Sequence, residues 1–188
     1  MSQRIVGVNP IIISEVDEMH TLHYASENGC MGAVIYLIES GAKVDHRAKL
    51  GSTPLSIAAL YGHLPVCEYL VSQGADIEKY DHGGSTPLSL AAYKGHLSVC
   101  EFLVSQGADI DNKDNDGDTP LSIAAINGYL PVCEYLVSQG ADIDNKNNDG
   151  ESLMDYDMVS LLTKVMCYHI IVYQCFYLFV VAPNHLIY

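Results

Sequence analysis

The sequence is short of positive charge. Nine Lys and Arg stand against 23 Asp and Glu, a formal net charge of −14. A surface of that sign repels phosphate backbones where a nucleic-acid binder would release their counterions, so nucleic acid is excluded as a partner. The signatures of catalysis are missing too: there is no glycine-rich phosphate loop, no G-x-S-x-G elbow and no paired-cysteine zinc spacing. The chain reads as non-enzymatic, with no cofactor, no metal ion and no small-molecule substrate. Its opening, MSQRIVGVNPIII, has one Arg and a short apolar run broken by Pro10, without a small-residue cleavage site. A cytoplasmic location is the expectation.

What is present is a sentence written three times. TPLSIAALYGHLPVCEYLVSQGADI begins at Thr53, TPLSLAAYKGHLSVCEFLVSQGADI at Thr86 and TPLSIAAINGYLPVCEYLVSQGADI at Thr119, a period of 33 residues. A divergent copy starts at His20, where Leu22, Gly29, Gly41 and Val44 align with Leu55, Gly62, Gly74 and Ile77. Self-similarity at such a period means one small structural unit stacked on copies of itself. Chain length then sets no domain count, because the core is a line of small cores shared between neighbours.

Each unit reads as a helical hairpin. Thr53 is a good N-cap and Pro54 fits the first helical turn, where its missing N–H would have had no partner. Leu55, Ile57, Ala58 and Ala59 are expected to form the apolar face of a short first helix, which Gly62 ends in the left-handed conformation. Pro65 restarts helical geometry, Val66, Cys67, Leu70 and Val71 recur at helical spacing, and Gly74 stops the second helix. The stretches EKYDHGGS and DNKDNDGD that follow are rich in Asp, Asn and Gly, which favour local turns. A protruding, hairpin-like turn is expected there.

These residues resemble the ankyrin repeat: TPLS followed by two alanines and Gly, then GHL, a V-x-x-L-V helix, GAD and a D-x-x-G turn, at a length of 33. The resemblance implies an all-α fold, an ankyrin-repeat solenoid of stacked helix-turn-helix units with short β-hairpin-like turns. The expected organisation is an N-terminal extension at 1–19, a repeat domain at 20–151 with units near 20–52, 53–85, 86–118 and 119–151, and a degenerate fifth repeat with an apolar tail at 152–188. One departure is the family's His after TPL, which is Ser56, Ser89 and Ser122 here and survives only as His23. That His bridges loop backbone between repeats, so its loss implies looser units.

The fifth copy decays after Ser152, since its two stop positions are Leu161 and Tyr173. From Val165 to Ala182 no Asp, Glu, Lys or Arg occurs. As a helix this stretch would be roughly 27 Å long, close to the hydrocarbon thickness of a bilayer. Three readings compete for it: a C-terminal membrane anchor, an apolar cap on the last repeat or in a dimer, and a truncated array with a poorly folded end.

Two apparent sites dissolve under comparison of the copies. Asn112–Asp118 has oxygen ligands at alternate positions before Gly117, but Ile123 stands where a calcium loop needs a bidentate Glu. A repeat turn is the reading. His63 with Cys67 and His96 with Cys100 stand at i, i+4, yet Tyr129 replaces the His while Cys133 remains. A metal pair or nucleophile needs both partners, so these read as packing. Stacked helices lie roughly 8–10 Å apart, too far for a disulfide between Cys67, Cys100 and Cys133, and these three are expected to be reduced core residues.

The letters that change between copies lie before the helix-ending glycine and at the turn tips. The candidate protein-binding residues are Arg47, Lys49, Leu50, Leu60, Tyr61, Tyr80, His82, Tyr93, Lys94, Lys113, Asn115, Asp116, Ile126 and Asn127. Resemblance to ankyrin repeats places them on the concave side, where a partner is gripped. Leu60, Tyr61, Tyr93 and Ile126 are apolar where exposure alone favours Lys or Glu, and such anchors beside charged tips suit a binding patch. Arg47, Lys49, Lys94, Lys113 and Lys146 add basic points, so the expected partner is a protein with apolar and acidic features, and the expected role is that of an adaptor or scaffold. The alternative function is a tail-anchored membrane adaptor with Val165–Ala182 as its anchor.

Overall fold

The computed structural model describes residues 15–152. Eight helices follow one another in four pairs: α1 (Glu15–Glu27) with α2 (Met31–Glu39), α3 (Pro54–Leu60) with α4 (Leu64–Ser72), α5 (Pro87–Lys94) with α6 (Leu97–Ser105), and α7 (Pro120–Ile126) with α8 (Leu130–Ser138). First helices stack on first helices, α1 on α3 on α5 on α7, and second helices stack on second helices. Among the described residues there is no extended strand; one isolated bridge joins Lys146 and Ser152. The fifth-repeat remnant and the stretch Val165–Ala182 lie outside the described residues.

The first helix of a unit starts as its letters dictate. Thr53 adopts an extended conformation and its side chain accepts the Ser56 N–H, while the Ser56 hydroxyl accepts the Thr53 N–H, satisfying two otherwise unpaired donors. The same box closes between Thr119 and Ser122. In the second full unit the Thr86 side chain accepts the Ser89 N–H and the two hydroxyls meet at 3.1 Å. Serine at this position thus does a local job. Only His23 does the long-range one, its Nε2 lying 3.1 Å from the Ser52 carbonyl.

The helix α1 begins at Glu15 and so extends five residues ahead of the unit boundary read from the repeat alignment. Leu55, Ala58 and Ala59 are fully buried, as are their counterparts Leu88, Ala91 and Ala92. Ile57 corrects the expected core face: it is half-buried, as are Leu90 and Ile123. The reason is helical phase. Residues 55, 58 and 59 share one stripe, while 57, 60 and 61 share another at the same i, i+3, i+4 spacing. The second helices bury Val66, Cys67 and Leu70, then Val99, Cys100 and Leu103, then Val132, Cys133 and Leu136. One contiguous core runs through all four units.

Neighbouring units are pegged together by side chains at constant positions. The His63 Nε2 reaches the Glu27 carbonyl at 2.8 Å and the His96 Nε2 reaches the Leu60 carbonyl at 3.1 Å. Each ring lies over the helix-ending glycine of the preceding unit, His63 over Gly29 and His96 over Gly62, and Tyr129 covers Gly95 in the same way. These pegs bridge units from a place other than the residue after TPL.

Candidate interaction surface

The turn tips form a ladder of their own. Ala48, Asp81, Asp114 and Asn147 each donate their N–H to the carbonyl of the residue four positions on, closing a hairpin-like turn. Asp114 tightens its turn by accepting the N–H groups of Asp116 and Asp118 on Oδ1 at 3.0 and 2.9 Å. Burial pushes its carboxyl above the usual range despite those bonds. The calcium-like spacing is therefore an Asx-type turn, its oxygen already engaged by backbone donors. Successive tips are tied by backbone bonds, His82 N–H to the Leu50 carbonyl, Asn115 N–H to Gly83, and Asn148 N–H to Asp116.

Several candidate binding residues take part in this ladder. Asn115 Nδ2 donates to the His82 carbonyl at 2.9 Å, and Lys113 Nζ to the Lys146 carbonyl at 2.8 Å. Arg47 Nη2 donates to the Tyr80 carbonyl at 2.9 Å, with the guanidinium 5.6 Å from the Tyr80 ring centroid, within cation–π range. All these side chains remain exposed. Lys49, Leu50, His82 and Asp116 project from the tips as exposed residues.

The remaining candidates stand on the first helices, along the stripe opposite the core. Tyr61, Tyr93 and Ile126 are exposed and Leu60 is half-buried. Lys94 Nζ lies 4.8 Å from the Tyr93 ring centroid. Asn127 is exposed but its amide is turned back onto the Ile123 carbonyl at 2.8 Å, the bond that Asn28 makes to Tyr24. The Glu27 carboxylate, through hydrogen bonding and its negative charge, raises the Tyr61 phenol above its ordinary value.

Tyr24, 67 % exposed, was missed by comparison of the three close copies. It occupies the position of Ile57, Leu90 and Ile123 in the divergent first unit, and the alignment that found Leu22 and Gly29 would have placed it. The apolar stripe thus runs through Tyr24, Ile57, Leu60, Leu90, Tyr93, Ile123 and Ile126 across four units.

A family model described as Ankyrin repeats (3 copies) matches residues 3–81 and 77–147. The chain belongs to the ankyrin-repeat family. No curated protein matches it. Ankyrin repeats are protein–protein interaction modules, and the family is typically non-catalytic.

Three cysteines of the ankyrin array are held as neutral thiols by burial. Cys67, Cys100 and Cys133 are free and buried, and burial pushes their thiols up to about 12, about 12 and about 11. A nucleophilic thiol needs the opposite shift. Cys30 is free and exposed. No group of His, Cys, Asp and Glu arranged to hold a metal ion occurs among the described residues. None of the described helices is long and apolar enough to cross a membrane.

Proposed function

We propose that this ankyrin-repeat chain is a non-catalytic adaptor or scaffold that holds a protein partner on its concave face, the face carried by the first helices and the turn tips. One observation carries the reading: side chains that vary between otherwise constant copies line up as an apolar stripe on the side of the first helices opposite the core. Stacked helices set adjacent stripe positions roughly 8–10 Å apart, a spacing that about three residues of extended chain or two turns of helix would match. Aromatic and aliphatic anchors at such intervals, rimmed by polar tips, suit a partner segment laid along the array. Leu60, Tyr61, Tyr93 and Ile126 are its centre. The site of action is the cytosol.

The test is affinity purification with the four replaced together by polar residues. The expected result is loss of the co-purifying proteins with the helical signal in circular dichroism retained. An unchanged set of co-purifying proteins would remove the stripe from the binding face.

A second reading adds a membrane tether through Val165–Ala182, favoured by the absence of charge over those residues. Alkaline extraction of membranes separates the two. A tethered chain stays in the pellet and is released by truncation from Leu161; an untethered one is extracted in both forms.

A further inference from the structure

The interaction surface is uneven in charge. Between residues 15 and 152 there are 7 Lys and Arg against 21 Asp and Glu, yet Lys43, Arg47 and Lys49 fall within one stretch of seven residues at the first turn. The carboxylate in that stretch, Asp45, is already engaged: it accepts the Asp76 N–H at 3.1 Å and pairs with Lys79 at 3.7 Å. The other basic residues are placed differently. Lys113 is bonded to the Lys146 carbonyl and sits among Asp111, Asp114, Asp116 and Asp118. Lys94 lies against its own neighbour Tyr93. Positive charge is therefore dense at the first tip, and the acids of the adjoining turn are turned onto backbone donors: Asp76 accepts the Glu78 N–H, Glu78 the Asp109 N–H, and Asp81 the N–H groups of Gly83 and Ser85.

Exposed apolar surface collects there as well. Leu50 is 71 % exposed and Tyr80, beneath the Arg47 guanidinium, is 55 % exposed. Arg47 uses one N–H on the Tyr80 carbonyl, and a guanidinium has five. Its remaining donors suit a carboxylate, which takes them in bidentate fashion. At physiological salt the Debye length is about 8 Å, so the acidic remainder of the array is largely screened from a ligand seated on this tip.

We propose that Arg47, Lys49, Leu50 and Tyr80 form the anchor for an acidic segment of the partner, one in which a large apolar residue stands beside Asp or Glu. The anchor rests on the protein-binding reading and narrows it: the acidic end of the bound segment lies at the first unit, and its apolar positions continue along the stripe toward Ile126.

The probe is a library of random peptides displayed on phage and selected against the full-length chain at about 0.15 M salt. Enriched sequences are expected to pair Asp or Glu with Leu, Phe, Tyr or Trp, and to bind the R47E/K49E variant at least about tenfold more weakly, since like charges face each other there. Because Arg47 also joins two units, K49E/L50S serves as a second variant: neither side chain bonds the next unit, so its helical signal should match the parent while the same peptides weaken. Enriched peptides that are basic or neutral, and that bind both variants as tightly as the parent, would overturn the acidic anchor while leaving peptide binding intact. Failure of parent and variants alike to enrich any sequence would overturn the binding reading itself.

Discussion

Gly62 and Gly128 offer a controlled comparison of what a peg contributes. Both have φ +76°, so alanine at either position meets the same left-handed backbone penalty of about 1–2 kcal/mol. Their surroundings differ. A Cβ at position 62 would lie 2.5 Å from the His96 Nδ1, whereas one at position 128 meets nothing within 4 Å among the described residues. Gly62→Ala must therefore also displace the His96 ring, weakening its bond to the Leu60 carbonyl, about 1 kcal/mol, and disturbing packing by about another 1 kcal/mol. The expected destabilisation is roughly 3 kcal/mol for Gly62→Ala against about 1 for Gly128→Ala. With a urea slope of about 2 kcal/mol per molar, the two midpoints should differ by about 1 M.

Urea denaturation followed by far-ultraviolet circular dichroism, on the same chain with each substitution, measures this. A double-mutant cycle sharpens it: in a His96→Ala background there is no ring to displace, so Gly62→Ala should cost only the backbone penalty, like Gly128→Ala. A Gly62→Ala cost unchanged by His96→Ala would refute the peg.

Four further predictions concern the core, the caps and the cysteines. Ser26 is fully buried with no hydrogen-bond partner for its Oγ among the described residues, at the position where the other units have Ala59, Ala92 and Ala125; Ser26→Ala should raise the thermal midpoint, by relief of about 1 kcal/mol. Ser56→Ala, which opens the box with Thr53 in a buried setting, should lower the urea midpoint by an amount matching about 1–2 kcal/mol. Because Cys67 and Cys100 are held near 12 in the fold against 9.0 outside it, the stability they contribute is full below pH 9 and lost as pH rises toward 12. Each unit above 9 removes about 1.4 kcal/mol per thiol, and the pH slope of the denaturation midpoint should flatten in a Cys67→Ala/Cys100→Ala variant. Peptide mapping after alkylation at neutral pH should find Cys30 modified and these two intact.

The repeat architecture was legible because it rests on local rules written several times over. Thr–Pro starts, glycine stops and the burial of Leu55, Ala58, Cys67 and Leu70 follow from capping and periodicity, and the three copies average out exceptions. Ile57 was misassigned because adjacency to Ala58 and Ala59 looked like membership of one face, when 3.6-residue geometry puts it on the other. The pegs His63 and His96 were recognised as packing, but their bonds to the Glu27 and Leu60 carbonyls were not, since they depend on how far one unit is offset from the next. The same offset decides which tip cations are engaged. Lys113 and Lys49 look equally available in sequence, and only the stacking shows that Lys113 reaches the Lys146 carbonyl.

The most direct test levels the letters that vary. Substituting Leu90→Ile, Tyr93→Leu, Lys94→Tyr, Ile126→Leu and Asn127→Tyr gives the second and third full units the stripe residues of the first, leaving every Thr–Pro cap, buried alanine and peg in place. If constant letters specify the stack and variable letters specify the partner, the levelled chain should keep the parent's unfolding free energy in urea denaturation to within about 0.5 kcal/mol and lose the proteins that co-purify with the parent. A levelled chain that folds as before and retains the same partners would contradict the claim that the stripe selects them.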